Sequence, residues 1–325
     1  MSVPCTIVYM GTPEFAVAPL RALLEAGMDV VGVVTQPVRP RGRGRRPSPS
    51  PVEAFARARG IGVFTPRRLK DEEFLADLKA LRPDLIVVVA YGKILPAEVL
   101  GLPRLGCLNL HASLLPRYRG AAPINYAIMN GETETGLTTM LMDEGMDTGP
   151  ILMKERVSIG PDETAGELTA RLSEVGGGLL VRTVEALVRG EVDAEPQDDS
   201  LATYAPSLKK EDGLIDWTRS AEDIKNLVRG VSPWPGAHTR WRGRVLKIHR
   251  VRTSDGGDVA VRETGEGEGA RPGTIVSLGR EGFIVQCGRG LLEVLELQPE
   301  NKRRMSAGDF IKGYRPAAGE YLGGA

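Results

Sequence analysis

At 325 residues the chain exceeds the usual size of one domain and predicts two, each burying its own core. Its composition is that of a soluble globular protein, with no apolar run near the ~20 residues that span a bilayer, and Cys5, Cys107 and Cys287 are too scattered for a disulfide framework or a zinc site. The 42 basic and 42 acidic residues cancel, which argues against a chain that is basic throughout but leaves room for a local basic feature.

The first residues, "MSVPCTIVYMG", lack the basic, apolar and small-residue regions of a signal peptide and the Arg- and Ser-rich pattern of a transit peptide, so a cytosolic location is expected. The three thiols are expected to be buried. "CTIVYMG" (5–11) is a short apolar run stopped by glycine, and "FAVAPLRALLEAG" (15–27) carries apolar residues at helical spacing before a terminal glycine. "DVVGVVT" (29–35) reads as a strand. Next come "VRPRGRGRRPSPSP" (38–51), with five arginines and no acid, and "PVEAFARARG" (51–60), a helix opened by proline. "DEEFLADLKAL" (71–81) is amphipathic, "DLIVVVAYG" (84–92) is apolar on both faces, and "GCLNLHAS" (106–113) is a further strand. Such runs separated by helices predict an α/β fold with a doubly wound, mostly parallel, Rossmann-like sheet covered on both sides. The turn "GTPEFA" (11–16) is not G-x-G-x-x-G, so a dinucleotide site is poorly supported.

"TAGELTARLSEVGGGLLVRTVEALVRG" (164–190) is helical, and its triple glycine predicts a bend or close packing. Residues 190–208 have the charged, turn-rich composition of a linker. Beyond them, "VLKIHRV", "GTIVSLG", "GFIVQCG" and "GLLEVLEL" are short β-type runs between glycine turns, which predict a small C-terminal β-barrel of oligonucleotide-binding (OB) type. The expected organisation is thus a catalytic domain over 1–189, a linker over 190–208 and a barrel over 209–325. Residues 209–325 hold 20 basic and 16 acidic side chains and the preceding 208 hold 22 and 26, so the arginine loop stands on an acidic background.

Of the three histidines, His111 is the one at a predicted strand end, two residues after Asn109 and on the same face of an extended strand. A core histidine beside a turn asparagine would give the same pattern. A second strand-to-loop segment, "MDEGMDTGP" (142–150), crowds three acids with two glycines. Turn and cap chemistry alone would account for it. Together the two segments suit acyl transfer to an amine, which needs donors for an oxyanion, an exit for the amine proton and a proton for the leaving nitrogen. Asparagine donates, histidine can do either near neutral pH, and aspartate can orient an imidazole. A neutral α-amine is itself a usable nucleophile, so neither a Ser/Cys nucleophile nor a metal is required.

"CLNLHASLLPRYRGAAPINYAI" (107–128) together with "MDEGMDTGPIL" (142–152) resembles the folate-dependent formyltransferase family. The likeness continues through "GTPEFA", "VVVAYGKILP", "SLKKEDGLIDW", "SPWPGA" and "LELQPENKRRMSAGDF", and is greatest to members that act on an aminoacylated tRNA. The resemblance implies transfer of formyl from 10-formyltetrahydrofolate to the α-amine of methionyl-initiator tRNA, for translation initiation, by a cytoplasmic monomer without a metal. It implies that Asn109 and His111 are oxyanion donors and that Asp147 couples to His111 and relays the amine proton, with Asp143 supporting the turn. Ser113, Leu114, Leu115 and Pro116 resemble the stretch lining the folate pocket, with Leu114 and Leu115 flanking the pteridine.

The loop bearing Arg39, Arg41, Arg43, Arg45 and Arg46 is either an exposed connector or a clamp for a polyanion, in which arginines meet phosphates and glycines allow close approach. Its place after a strand carboxyl end, the expected rim of Asn109 and His111, favours the clamp. The resemblance implies that this loop contacts the tRNA acceptor end. Lys209 and Lys210, and Arg240, Arg242, Arg244, Lys247 and Arg250 in the barrel, are further candidate phosphate contacts. Competing readings are an RNA-binding protein on an inactive transferase fold, and a transferase or hydrolase of small molecules. The intact Asn109, His111 and Asp147 argue against the first, and the basic loop and barrel against the second.

Overall fold

The computed structural model describes residues 5–38, 48–254 and 270–323. They fall into two compact units, the first comprising residues up to Pro123, Glu134–Ser158 and Leu168–Pro206, the second Ile124–Thr133, Ile159–Glu167 and the chain from Ser207.

In the first unit, strands and helices alternate as β1 (Thr6–Gly11), α1 (Val17–Glu25), β2 (Asp29–Val34), α2 (Pro51–Arg57), β3 (Val63–Phe64), α3 (Glu72–Ala80), β4 (Leu85–Val89), α4 (Ala97–Leu100) and β5 (Cys107–His111). After α5 (Pro123–Met129) come β6 (Glu134–Leu141), β7 (Ile151–Ser158) and the long α6 (Ala165–Arg189). The sheet runs β3-β2-β1-β4-β5-β6-β7, parallel from β3 to β5 and antiparallel where β6 joins β5 and β7 joins β6. The mostly parallel sheet is as expected. β4 is buried throughout, which is why it is apolar on both faces. Ser50 caps α2 by accepting from Glu53 N at 3.0 Å, and Pro51 follows where a missing N–H costs nothing. The triple glycine leaves α6 continuous and serves close packing. A Cβ on Gly176 would press on Leu110 and one on Gly177 on Ala22 of α1, so the helix approaches both elements only because those atoms are missing.

The second unit holds α7 (Ala221–Gly230), β8 (His238–Trp241), β9 (Arg244–Ser254), β10 (Ile275–Leu278), β11 (Phe283–Gln286), β12 (Leu291–Pro299), β13 (Met305–Ser306) and α8 (Ala307–Tyr314). Its sheet is antiparallel in the order β10-β11-β12-β9-β8, with β13 on β12. The last described residues close it. Leu322 bridges Trp241 at the end of β8, Tyr321 bridges Thr274 before β10, and Ile275 N donates to Glu320 O at 2.8 Å. Inside, Trp241, Phe283 and Phe310 pack with Ile248, Leu292 and Leu297. Two excursions from earlier in the sequence belong to this unit, which boundaries drawn at 189 and 209 do not express: Asn125 Nδ2 donates to Gly230 O at 2.7 Å, and Asp162 pairs with Lys225 at 3.0 Å.

Glu320 ties this closure together, accepting from Trp241 Nε1 at 2.7 Å and from Arg242 Nη2 at 2.6 Å. The Arg242 contact holds its carboxyl below the usual carboxylate range. A group whose folded pKa is depressed contributes stability above its unfolded value of about 4.3, and loses it as pH falls through the folded one. Glu320→Gln is therefore expected to lower Tm at neutral pH, with the gap to the parent closing below about pH 4 in scanning calorimetry. A gap that stays constant with pH would show that the charge is not what stabilises the closure.

Among the described residues, no helix is long and apolar enough to cross a membrane, and no group of His, Cys, Asp and Glu could hold a metal ion. Cys107 and Cys287 are buried, and burial pushes both thiols up to about 12. Cys5 differs from expectation. It is only half-buried, in the residue just before β1, although burial still raises it to about 11.

Candidate active site

Asn109 and His111 lie on β5, where alternation puts both side chains on one face. Both are buried, at 9% and 6% exposure. The loop bearing Asp147 does not leave from the same end of the strand. β6 runs antiparallel to β5, so its last residue, Leu141, pairs with Leu108, and Met142 N donates to Cys107 O at 2.7 Å. The β6–β7 loop then folds back over β5. There Asp147 Oδ1 lies 3.5 Å from Asn109 Nδ2, and Oδ2 lies 3.6 Å from His111 Nδ1. Oδ2 also accepts from Gly120 N at 2.8 Å. Asn109 and His111, marked by strand pattern, and Asp147, assigned by the resemblance, are thus close together.

The imidazole's orientation has chemical content. His111 Nε2 is 3.0 Å from Tyr118 O, a carbonyl that can only accept, so Nε2 carries the hydrogen. Nδ1 is left facing Asp147 Oδ2. In neutral His111 that nitrogen holds a lone pair and can take a proton; it becomes a donor only in the cation. Asn109, by contrast, is a donor in every protonation state.

Asp147 has φ +55°, in the left-handed region, which aspartate tolerates better than most residues. Asp143 supports the same turn, its Oδ1 accepting from Gly145 N at 3.0 Å and Thr148 Oγ1 at 2.7 Å. Gly120, at φ +118°, sits beneath the strap 203–205, where a Cβ would meet Ala205 O at 2.7 Å. Only glycine fits there, and its N–H is the one that reaches Asp147.

Residues 113–116 form a turn pinned by Thr138 of β6. Thr138 Oγ1 donates to Ser113 O at 2.7 Å and accepts from Leu115 N at 3.1 Å, and Ser113 Oγ donates to Arg117 O at 2.6 Å. Ser113 and Leu115 are buried. Leu115 packs with Met140 and Ile151, so it belongs to the core and not to a surface that could flank a pteridine. Leu114 and Pro116 are half-exposed and provide the apolar surface of this turn.

Arg119, Gly120, Gln197 and Thr203 were not singled out from the sequence. The stretch 190–208 has a linker's composition, yet its residues up to Pro206 are part of the first unit. Arg119 N donates to Thr203 O and Ala205 N to Arg119 O, both at 2.8 Å, Tyr118 N donates to Thr203 Oγ1 at 2.8 Å, and Glu195 exchanges two backbone bonds with Ile151. "RYRG", following the Asn109 and His111 motif, was the available signal for Arg119 and Gly120.

Arg39, Arg41, Arg43, Arg45 and Arg46 lie outside the described residues. Lys209 and Lys210 are exposed at a short turn of the second unit. Arg240, Arg244, Lys247 and Arg250 are exposed on the antiparallel sheet of the second unit; Arg242 is exposed too, and also stacks on Trp241 and binds Glu320.

Comparison with known proteins gives matches in both units. The formyl transferase family model matches residues 5–184, and that of the formyl transferase C-terminal domain matches residues 207–315. A methionyl-tRNA formyltransferase of Citrifermentans bemidjiense is 52% identical over 317 residues, covering 98% of this chain and 96% of that protein. One of Moorella thermoacetica is 50% identical over 317 residues, covering 98% and 99%. Among solved structures, the methionyl-tRNA formyltransferase of Clostridium thermocellum matches with TM-score 0.56 and 20% identity, covering 78% of this chain and 95% of that one. HypX of Aquifex aeolicus, solved in complex with tetrahydrofolic acid, matches with TM-score 0.63 and 17% identity, covering 96% and 48%.

Proposed function

The chain belongs to the formyl transferase family, and from that membership we propose that Asn109, His111 and Asp147 carry formyl from 10-formyltetrahydrofolate to the α-amine of methionyl-initiator tRNA, in the cytoplasm, for translation initiation. The observation that carries the chemistry is the meeting of these three side chains around the two carboxylate oxygens of Asp147. The tRNA substrate is supported by likeness at about half identity, nearly end to end, to proteins whose names specify it.

The amine lone pair forms the new bond to the formyl carbon while the carbonyl π pair moves to oxygen, where Asn109 Nδ2 donates. The imidazolium of His111 adds a second donor through Nδ1, because its Nε2–H is committed to Tyr118 O. Asp147 receives the amine proton and hands it on. Collapse then breaks the bond from the formyl carbon to the folate nitrogen, which takes that proton. Leu114 and Pro116 supply the apolar surface beside the folate, with backbone groups of the Ser113–Pro116 turn at its polar edge.

We read the first unit as catalytic and the second as the tRNA-binding domain, its closed barrel being of OB type. Lys209, Lys210 and the exposed barrel cations are its phosphate contacts, and Arg39, Arg41, Arg43, Arg45 and Arg46 guide the acceptor end. Formylation of initiator and elongator methionyl-tRNA, assayed side by side with 10-formyltetrahydrofolate, tests the function. Initiator tRNA is expected to be formylated far faster. Equal rates would remove the initiator assignment, and formylation of an amino sugar in place of tRNA would favour a small-molecule transferase.

A further inference from the structure

Arg119 is 2% exposed, whereas its acidic partner, Asp199, is 80% exposed at the side chain. The inner face of Arg119 is spent on an uncharged amide. Nε and Nη2 converge on the single Oε1 of Gln197, at 3.2 and 2.8 Å, while Nη2 also reaches Asp199 Oδ1 at 2.8 Å. Two donors on one oxygen fix which way the amide points. Gln197 Nε2 is thereby aimed at two main-chain carbonyls, Asp147 O and Gly149 O, each at 2.8 Å. Donor on one side and acceptors on the other leave one consistent orientation of this side chain.

The first of those carbonyls belongs to Asp147 itself, whose left-handed backbone helps fold the loop back over β5, and the second lies two residues on. A non-glycine residue there costs on the order of 1 kcal/mol in backbone energy, so the turn persists only where neighbouring groups hold it. Gln197 holds the backbone of Asp147 and of the residue two positions on at once. We propose that Arg119 and Gln197 are positioning residues for the transfer reaction: Arg119 orients the Gln197 amide, which clamps the Asp147–Gly149 backbone and so sets the Asp147 carboxylate against His111 and Asn109. This rests on the catalytic reading of Asp147. A simpler role, providing a partner for a buried guanidinium, would need only the Oε1 contact.

Gln197→Glu separates the two roles. It keeps an acceptor for Arg119, and adds charge complementarity, but removes the donor from Asp147 O and Gly149 O. In single-turnover formylation by the full chain, Gln197→Glu is expected to lower the rate constant about 10- to 100-fold, the scale of a misplacement near 1 Å. KM for both substrates stays within about twofold and Tm is unchanged. Gln197→Ala gives the same kinetic loss with a lower Tm. In an Asp147→Asn background the further loss from Gln197→Glu shrinks below about threefold, because the group being positioned is already gone. Parent-like turnover in Gln197→Glu would overturn the proposal. A loss seen in KM would do so too, as would one that persists undiminished beside Asp147→Asn. Full turnover in Asp147→Asn alone would instead overturn the catalytic reading of Asp147.

Discussion

Asp147→Asn is expected to reduce kcat by about 10²- to 10⁴-fold, the range for a group that moves a proton in the transition state. The substitution is nearly isosteric, and an amide oxygen can still accept from Gly120 N. What it removes is the anion facing His111 Nδ1 at 3.6 Å, and with it the basic oxygen proposed above to receive the amine proton. The loop itself keeps its supports, Gln197 on the backbone and Asp143 on Gly145 and Thr148, so the melting curve of the variant is expected to overlay that of the parent. Rapid-quench formylation of methionyl-tRNA reads the loss directly. A fall of less than about threefold would take Asp147 off the proton route.

Asn109→Ala is expected to lower kcat by about 10²- to 10³-fold, the loss that follows removal of one oxyanion donor, with KM for tRNA little changed. Asn109 has little invested in the resting site. Its contact to Asp147 Oδ1, at 3.5 Å, is at the outer limit of a hydrogen bond, so its N–H groups remain to be used where negative charge develops. Asn109→Asp should lose at least as much, since it replaces the donor with an acceptor and places a second carboxylate beside Asp147. Equal kcat in parent and Asn109→Ala would remove this residue from the reaction, whatever the aspartate variant did.

The two β5 residues were legible because both facts about them are local. Strand periodicity of two puts positions 109 and 111 on one face, and the apolar residues between and around them mark a buried strand. β1 and β2 were recognised within a residue of their ends for the same reason, and β4 at its start, although the apolar run was read three residues past Val89. α7 and α8 were not named, although Ser220 and Ser306 each stand three residues before an aspartate and cap those helices, accepting from Asp223 N and Asp309 N at 3.1 Å. The brace on Asp147 was illegible for a different reason. Gln197 and Arg119 meet across 78 residues of sequence, and nothing about a glutamine among acids in a turn-rich stretch foretells that its amide will be oriented by a buried arginine. Leu115 shows the converse limit. A leucine pair in a proline-ended turn does not reveal which member turns inward, and here Thr138 decides it by binding both ends of the turn.

The strap from Glu195 to Ala205 has a consequence for how the enzyme is made. During synthesis, β5 and the whole β6–β7 hairpin emerge before Gln197 does, so Asn109, His111 and Asp147 can all be present in a folded sheet whose aspartate is still unset. The brace would arrive late, when the eleven residues from Glu195 to Ala205 dock against elements already made. A nascent chain stalled before residue 195 would carry Asn109, His111 and Asp147 on a built sheet while lacking the Gln197 contacts to Asp147 O and Gly149 O.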